Sequence, residues 1–546
     1  MVLIKKVLET SVIRRLDIGG TLLSLSLWRG AKKNYKLLRK ILDLPGPSTL
    51  AEFMTRLHFD VGENAHYFEH LAKVVRKFRP RDRACAVMWD ETQVKKFLKY
   101  NEKKDKVEGF QDYGDGVDGR DKTDKCLVFL VQSLSKKWKQ PVAYYFAQDE
   151  VPAKTLVRLI VAVISHLQAA GFDVRSTVCD QGGNNRKAVT ALQRKFQPPR
   201  PERVPLCDAC KLKKKSRQGP FSKADCRECR INSIRPAVNP YFRINNDTNI
   251  WHFWDPPHLI KNLRNSFMNY DIDIGDGKVA KWDHLRQLHK QDGLDGTFYH
   301  IALKLTDDHL NFENKKRGNK MKVKLAVQVI SCRVATALKK IHDWSDGKAI
   351  PGSLPTSEFL LQGDRLFDNF NGGCKEHTAK KLRVNLSENS PHFEFWDEME
   401  SKIREWHFIG SERTMAFHVG WLENITAYRG LWHDLSTDPD PNFRFKYLNL
   451  RRLNQDALEN LFSAIKKGNT PTVSQFIGGL ETAIITNLRD NGSDSRNCSD
   501  DDGELLTDLH VFFQDEVQEA PAPTPAAATS DYDSEQLEYE GLTRLF

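Results

Sequence analysis

Three carboxylates in this chain stand where chemistry can be done: Asp90, Asp180 and Glu459. Asp90 closes the apolar run Arg83–Trp89, which reads as a buried strand delivering an acid at its C-terminal end. Asp180 follows the strand-like run Val174–Val178 and opens Cys179-Asp180-Gln181-Gly182-Gly183-Asn184-Asn185, a glycine turn leading into a helix. Glu459 lies in Arg452–Lys467, where Leu458, Leu461, Phe462 and Ile465 recur at i, i+3, i+4, i+7 and predict one apolar helical stripe. Glu459 sits at the margin of that stripe, with Asp456 one turn earlier on the same flank. Ligands of open α/β sheets gather at the carboxyl ends of strands. Three acids there repel one another unless cations neutralise them. Two magnesium ions about 3.5–4 Å apart would do so and would form a phosphoryl-transfer clamp, one activating the attacking oxygen and one steadying the leaving oxygen. Each acid taken alone reads equally well as a turn residue or a solvated helix flank.

The elements needed to position them follow an α/β order. After the strand ending at Asp90 come strand-like runs at Lys125–Gln132 and Pro141–Phe146. A helix over 152–170 buries Leu156, Leu159, Ile160, Val163 and Leu167. The strand before Asp180 follows, and then a helix over Arg186–Phe196. Asn249–Asp255 is a further strand ending in an acid, and Pro256-Pro257-His258 begins the next helix. Residues 270–440 read as mostly helical; Lys320-Met321-Lys322-Val323-Lys324 starts one long helix, and Phe359–Phe370 is another. Before the sheet, residues 1–80 form a helical leader: Pro45-Gly46-Pro47 separates one helix from a second over Thr49–Leu57, capped by Ser48. That pair reads as a helix-turn-helix, an oligomerisation hairpin or plain packing. Gly114–Gly119 has the composition of a calcium loop without its spacing, and reads as a turn.

Composition narrows the partners. The 546 residues carry a net charge of +11, and the segment 491–546 is acidic, so the body is more basic than the total. That favours a polyanion, nucleic acid first. No run of about eighteen apolar residues suggests a membrane span, and the N-terminus lacks a signal-peptide pattern; an intracellular, nuclear location is expected. Cys207-x2-Cys210-x15-Cys226-x2-Cys229 interrupts the α/β order within a Pro-rich insert at 197–247. The two close pairs can hold one tetrahedral zinc, structural because four thiolates leave no open position; free surface cysteines are the alternative. The acidic tail, with Ala520-Pro521-Ala522-Pro523, has a disordered composition suited to a linker or an interaction segment.

Five separated segments are similar to the P-element family of DNA transposases, including its THAP-type relatives. They are Pro80–Cys85 leading into Met88-Trp89-Asp90-Glu91; Cys179–Asn185; Trp254-Asp255-Pro256-Pro257-His258-Leu259-Ile260-Lys261; Lys320–Ala326; and Leu453-Asn454-Gln455-Asp456-Ala457-Leu458-Glu459-Asn460. They span roughly residues 80–465 in the family's order. The resemblance implies an RNase H-like catalytic fold interrupted by a mainly helical GTP-binding insertion domain. The implied boundaries are a helical leader at 1–80, the first part of the RNase H-like domain at 81–268, the insertion at 269–440, its C-terminal part at 441–490 and the acidic tail at 491–546.

Carried over residue by residue, the resemblance implies a catalytic, magnesium-binding triad of Asp90, Asp180 and Glu459, with Asp255 and His258 near the same sheet edge. GTP, a cofactor that need not be hydrolysed, would lie near Lys322, Val323, Lys324, Asp368, Asn371 and Asp456. The residues alone point to no nucleotide: no Gly-x4-Gly-Lys-Ser/Thr loop is present, and Asp368 and Asn371 read as a polar helix end. Family members commonly begin with a zinc-coordinating THAP domain, and no such cysteine and histidine pattern precedes residue 80, which puts sequence-specific end binding in doubt. The expected activity is magnesium-dependent DNA cleavage and strand transfer by a homo-oligomer. The alternatives are an inactive transposase-derived DNA- or chromatin-binding protein and, more remotely, a GTP-controlled switch.

Overall fold

A computed structural model describes residues 59–195, 239–291, 305–310, 317–373, 380–466 and 468–486 with short gaps, together with parts of 24–50 and 207–234 and residues 504–505. Most of the second leader helix, most of the lysine run after Lys211 and nearly all of the acidic tail lie outside the described residues.

The sheet is built around β1 (Ala84–Gln93). On one side β2 (Lys125–Ser133) runs antiparallel to β1, and β3 (Trp138–Ala147) antiparallel to β2. On the other side β4 (Asp173–Cys179) runs parallel to β1. The two-residue β5 (Tyr241–Phe242) forms the edge, antiparallel to β6 (Ile250–Trp254), which is parallel to β4. The spatial order is therefore β3-β2-β1-β4-β6-β5, with Glu504–Leu505 beside β3. β2, β3 and β6 are buried almost throughout, as expected of strands covered on both faces. The expected strands are present, with one displacement. β1 does not stop at Asp90 but continues to Gln93, because Glu91 to Gln93 keep pairing with Leu127 to Lys125.

Helices cover the sheet. α1 (Ala65–Arg76) is capped by Asn64, whose side chain accepts from the Tyr67 amide. It reaches β3 through the Tyr67 hydroxyl, which donates to the Pro141 carbonyl. α2 (Ala153–Ala169) buries the five expected apolar residues. α3 (Gly183–Lys195) follows the glycine turn, three residues earlier than the apolar pattern suggests. α4 (Pro256–Phe267) begins directly after β6; Asp255 is its N-cap and prolines occupy its first turn.

The helical half includes, after the shorter helices Asp283–Gln291 and Asp307–Leu310, α5 (Val323–Val329), α6 (Cys332–Trp344), α7 (Leu354–Phe370), α8 (His392–Glu405) and α9 (Ala416–Ser436). The long helix expected from Lys320 is instead a 3-10 turn at Arg317–Met321 followed by two helices. Ser331 causes the break: its hydroxyl accepts from the Val334 amide and caps a new helix, while Ile330 leaves helical geometry. The two halves share one continuous core. Phe370 stacks on Trp421 and Tyr428 with ring centroids 5.5 and 4.9 Å apart, and Tyr428 packs on Phe253 of β6 at 4.5 Å. α9 also docks by hydrogen bonds, since Asn424 donates to the Trp254 carbonyl and accepts from its amide. Gly430 is required at this crossing: a Cβ there would lie 2.0 Å from the Trp251 ring.

Two helices close the described chain, α10 (Asp456–Lys466) and α11 (Val473–Thr486). The predicted stripe of α10 is buried in full, and Glu459 lies at its half-buried edge. Asp456 lies one turn earlier on the same flank. It is only 3% exposed, buried beside the core rather than solvated.

Candidate active site

Register brings the acids together. Met88 of β1 pairs with Val178 of β4, so two residues further on Asp90 is level with Asp180. Neighbouring strands lie about 4.8 Å apart, which fixes the spacing of the two backbones. Cys179 pairs with Trp254, and the Asp255 amide donates to the Cys179 carbonyl at 2.9 Å, so Asp255 is the next acid along the same edge. α10 packs against β1 and contributes Glu459. The consequence is electrostatic. Burial first, then the negative charges of Glu459 and Asp180, raise the Asp90 carboxyl well above the ordinary carboxylate range, against the opposing pull of His258.

Hydrogen bonds orient each acid. Asp180 Oδ1 accepts from the Gly182 amide at 2.9 Å and from Asn185 Nδ2 at 2.6 Å; Asn185 Oδ1 in turn accepts from the Trp89 indole at 3.0 Å. Asp90 Oδ1 accepts from the Glu91 amide at 2.8 Å. Gln455 joins the pieces. Its side-chain amide donates to the Trp89 carbonyl at 2.7 Å, its backbone amide donates to Asp255 Oδ1 at 2.7 Å, and its carbonyl accepts from the Glu459 amide at 2.9 Å. One residue thus ties the strand carrying Asp90, the cap of α4 and the helix carrying Glu459.

Cations surround the acids. Burial alone would lower the pKa of His258, but its 2.6 Å contact with Asp255 Oδ2 overrides this and lifts it to about 9. Lys261 and Lys466 are depressed chiefly by burial; both also feel Glu459 and Asp90, which pull the other way. The cleft beside these groups is lined by Asp255, Pro257, His258, Met321, Val323, Gln455, Asp456 and Glu459.

The six residues assigned to a nucleotide fall into two groups. Val323 and Asp456 line this cleft, at the start of α5 and of α10. Lys322 and Lys324 are exposed beside Val323. Asp368 and Asn371 end α7, and Asp368 is buried between Lys380 and Arg383, each 2.6 Å away. Asn371 Oδ1 accepts from Asn454 at 3.1 Å, the Arg451 amide donates to the Gly372 carbonyl at 3.0 Å, and Arg451 lies 3.5 Å from Asp456. The two groups therefore meet across the segment 451–456. Asp368 is more than a polar helix end; it anchors a charged knot.

The four cysteines converge as their spacing predicts. Their sulfurs all lie within 4.8 Å of one another, with Cys207 and Cys226 sulfurs 3.6 Å apart. Zn–S bonds of about 2.3 Å in a tetrahedron require sulfurs roughly 3.8 Å apart, so the donor set fits one zinc ion. Arg227, beside Cys226, holds the cluster to the end of α8 through Glu405 at 2.9 Å.

Comparison with known proteins bears on this arrangement. Residues 59–193 match the TNP-like RNase H N-terminal domain, and residues 257–383 match the TNP-like GTP-binding insertion domain. The chain is related to the P-element transposases. It is 25% identical over 423 residues to the transposable element P transposase of Drosophila melanogaster, covering 75% of this chain and 46% of that protein. It is 22% identical over 349 residues to the DNA transposase THAP9 of Homo sapiens, covering 63% and 34% respectively. The chain thus spans less than half the length of these curated relatives. Its fold is similar to that of the Drosophila P element transposase strand transfer complex, with a TM-score of 0.66, 21% identity, and coverage of 88% of this chain and 95% of that chain. The P-element resemblance and the RNase H-like fold interrupted by a GTP-binding insertion domain both hold. The matched insertion begins on α4, at residue 257.

Sequence reasoning did not single out Gln455, Asn185, Lys261 or Lys466. Gln455 and Lys261 lie inside segments that carried the resemblance, but nothing in their spacing marks a glutamine as a junction or a lysine as buried.

Proposed function

We propose that this chain is a DNA transposase of the P-element type, which cuts and rejoins DNA strands at Asp90, Asp180 and Glu459. The observation that carries this reading is the convergence of three carboxylates at one edge of an RNase H-like sheet, with Asp90 strongly disfavoured as a lone anion. Such a cluster fits hard divalent cations: its donors are oxygens, and it is costly without positive charge. When bound, two magnesium ions would activate the attacking oxygen and stabilise the leaving one. In the first reaction a water oxygen bonds to phosphorus, the P–O3′ bond breaks, and the 3′ oxygen leaves with a proton. In the second, that 3′-hydroxyl attacks a phosphodiester of target DNA and displaces its 3′ oxygen. Asp90 and Asp180 would hold the cations, Glu459 would complete their coordination, and Asn185 and Gln455 would keep two of the acids aligned. His258, held protonated by Asp255, adds positive charge where phosphate enters.

GTP would bind across α5, the end of α7 and the start of α10, at Lys322, Val323, Lys324, Asp368, Asn371 and Asp456. Asp456 and Glu459 are one turn apart on α10, so a nucleotide holding the first would help set the position of the second. Asp456→Ala is expected to weaken binding of a fluorescent GTP analogue about 10-fold or more, the loss of one charge-assisted hydrogen bond. Equal affinity in titrations of the two proteins would remove Asp456 from the site.

Zinc at Cys207, Cys210, Cys226 and Cys229 would be structural. Denaturation in the presence of a metallochromic dye should release one zinc per chain from the wild type and none from Cys226→Ser. A homo-oligomer acting in the nucleus on DNA completes this reading. The second reading, a DNA-binding protein without turnover, rests on the same basic charge. Magnesium-dependent nicking of a duplex by wild type, absent in Asp90→Asn, decides for the enzyme.

A further inference from the structure

β1 does not end at the carboxylates. It runs on from Gln93 through Val94 into a small two-stranded hairpin, Lys99–Asn101 paired with Lys106–Glu108. This hairpin is not needed for the core. Phe97 is 53% exposed, Tyr100 55% and Val107 41%, and Tyr100 and Val107 are cross-strand partners, so their side chains share one face. Around these apolar groups stand the exposed Lys95, Lys96, Lys99 and Lys106 against Glu102, Asp105 and Glu108; Lys96 pairs with Asp124 at 3.1 Å and Lys106 with Asp112 at 3.3 Å, while Lys95 and Lys99 face solvent.

The hairpin is braced at its root. The Lys95 amide donates to the Pro471 carbonyl at 2.8 Å, so the root is pinned to the loop between α10 and α11. At the base Gly109 lies against the Phe97 carbonyl, where a Cβ would approach to 2.3 Å, and its φ of +116° is one that suits glycine. Asn101 donates to Glu108 across the strands at 2.6 Å. A fixed hairpin that exposes two aromatic rings among lysines is a poor solution for solubility and a good one for a polyanion with flat, stackable faces.

We infer that the hairpin formed by 95–101 and 105–109 is a DNA-contacting finger beside the active site: Phe97 and Tyr100 pack against bases or sugars flanking the cleavage site, and Lys95 and Lys99 meet the neighbouring phosphates. Phe97 lies seven residues after Asp90, so even a fully extended chain between them reaches only roughly 25 Å. DNA lying across the carboxylates therefore comes within reach of the finger. Charge complementarity and continuity with β1 select DNA as the occupant over a second copy of the chain, which would have to accept the same basic face. The inference rests on the transposase reading, and its test separates the two.

The full chain is titrated with a fluorescein-labelled forked duplex over a range of salt concentrations, as wild type, Phe97→Ala/Tyr100→Ala and Lys99→Glu. The aromatic variant should bind about five-fold or more weakly with an unchanged salt slope. Lys99→Glu should lower the slope by about one or more. Because the altered residues are exposed, thermal midpoints should match the wild type. As a measurement independent of the variants, an iododeoxyuridine beside the fork junction should photo-crosslink wild-type protein within 95–109. Unchanged affinity in both variants, or crosslinks confined to other segments, overturns the finger while leaving the transposase reading intact. Loss of self-association with DNA affinity unchanged likewise overturns it. A wild type that binds no DNA overturns both.

Discussion

Asp90→Asn is expected to abolish magnesium-dependent strand cleavage, by at least about 10³-fold, while raising the melting temperature of the metal-free protein. The two effects have one cause. Asp90 stands half-buried beside Glu459 and Asp180, so its charged form is penalised by partly lost hydration and by two like charges. A pair of cations repays that penalty and supplies several kcal/mol of transition-state stabilisation, equivalent to the expected loss in rate. Asparagine is neutral and nearly isosteric, so it relieves the repulsion and cannot hold the cations. The pH dependence follows in sign. The folded-state carboxyl of Asp90 is raised, so the folded chain binds a proton that the unfolded chain has released. Its contribution to stability is fully present below the unfolded value of about pH 4 and is lost as pH rises towards the folded value. Thermal melts of wild type and Asp90→Asn in chelator should therefore diverge as pH rises from 4, the variant being the more stable by ~1 kcal/mol or more, about 2–4 °C for a domain of this size. Magnesium should raise the wild-type midpoint more than that of the variant. Coincident melting curves with and without magnesium would mean that the carboxylates do not form a cation site.

Asp255→Ala is expected to produce the largest loss of stability. Asp255 is 1% exposed, and both its oxygens are used: Oδ1 accepts from the Gln455 amide at 2.7 Å, and Oδ2 accepts from the His258 amide and ring nitrogen at 3.0 and 2.6 Å. Removing it uncaps α4, strands the Gln455 amide and leaves the half-buried His258 imidazolium, its side chain 17% exposed, without its partner. Breaking a buried charge pair costs about 3–5 kcal/mol, which corresponds to a midpoint lower by roughly 6–20 °C. Asp255→Asn keeps the shape and separates charge from packing. In the wild type the folded pKa of His258 is lifted to about 9, above its ordinary value of about 6.5, so the stabilisation is present below the ordinary value and is lost as pH rises through 9. The stability of Asp255→Asn should lack this decline between pH 6.5 and 9, as read from denaturant midpoints. A wild type equally stable at both ends of that interval would show that His258 is not held protonated by Asp255. Cleavage should fall in Asp255→Ala, because the Gln455 amide then loses the acceptor that fixes it between the Asp90 strand and the Glu459 helix, and should be better kept in Asp255→Asn, whose Oδ1 still accepts from that amide.

The relation between α10 and the helical half gives these residues their joint significance. Asn454, Gln455 and Asp456 are consecutive, and each faces a different partner: Asn371 at the end of α7, Asp255 with the Trp89 carbonyl, and Arg451. A nucleotide seated against Asp456 would act on the same turn that sets Gln455 and Glu459. This would be the structural route by which a cofactor that need not be hydrolysed could govern cleavage.

Much of this was legible in the chain itself, for physical reasons that are local. Apolar strand-like runs marked β2 and β4, and period-3.6 patterns marked α2 and the stripe of α10, because an element must bury its apolar side. The paired cysteines announced a common site because a two-residue spacer allows two sulfurs to reach one point. Acids at strand ends marked the sheet edge where Asp180 and Asp255 stand. Tertiary structure decided the rest. The register of β1 against β2 carried the strand past Asp90, and its register against β4, rather than any spacing in sequence, made Asp90 level with Asp180. Packing of α10 buried the Asp456 carboxylate beside the core, and Ser331 divided the predicted long helix. Gln455 became a junction only because partners 200 and 366 residues away were folded onto it. Local patterning is written in the chain because burial acts on neighbours. The alignment of charges across strands depends on long-range pairing, which no stretch of sequence contains.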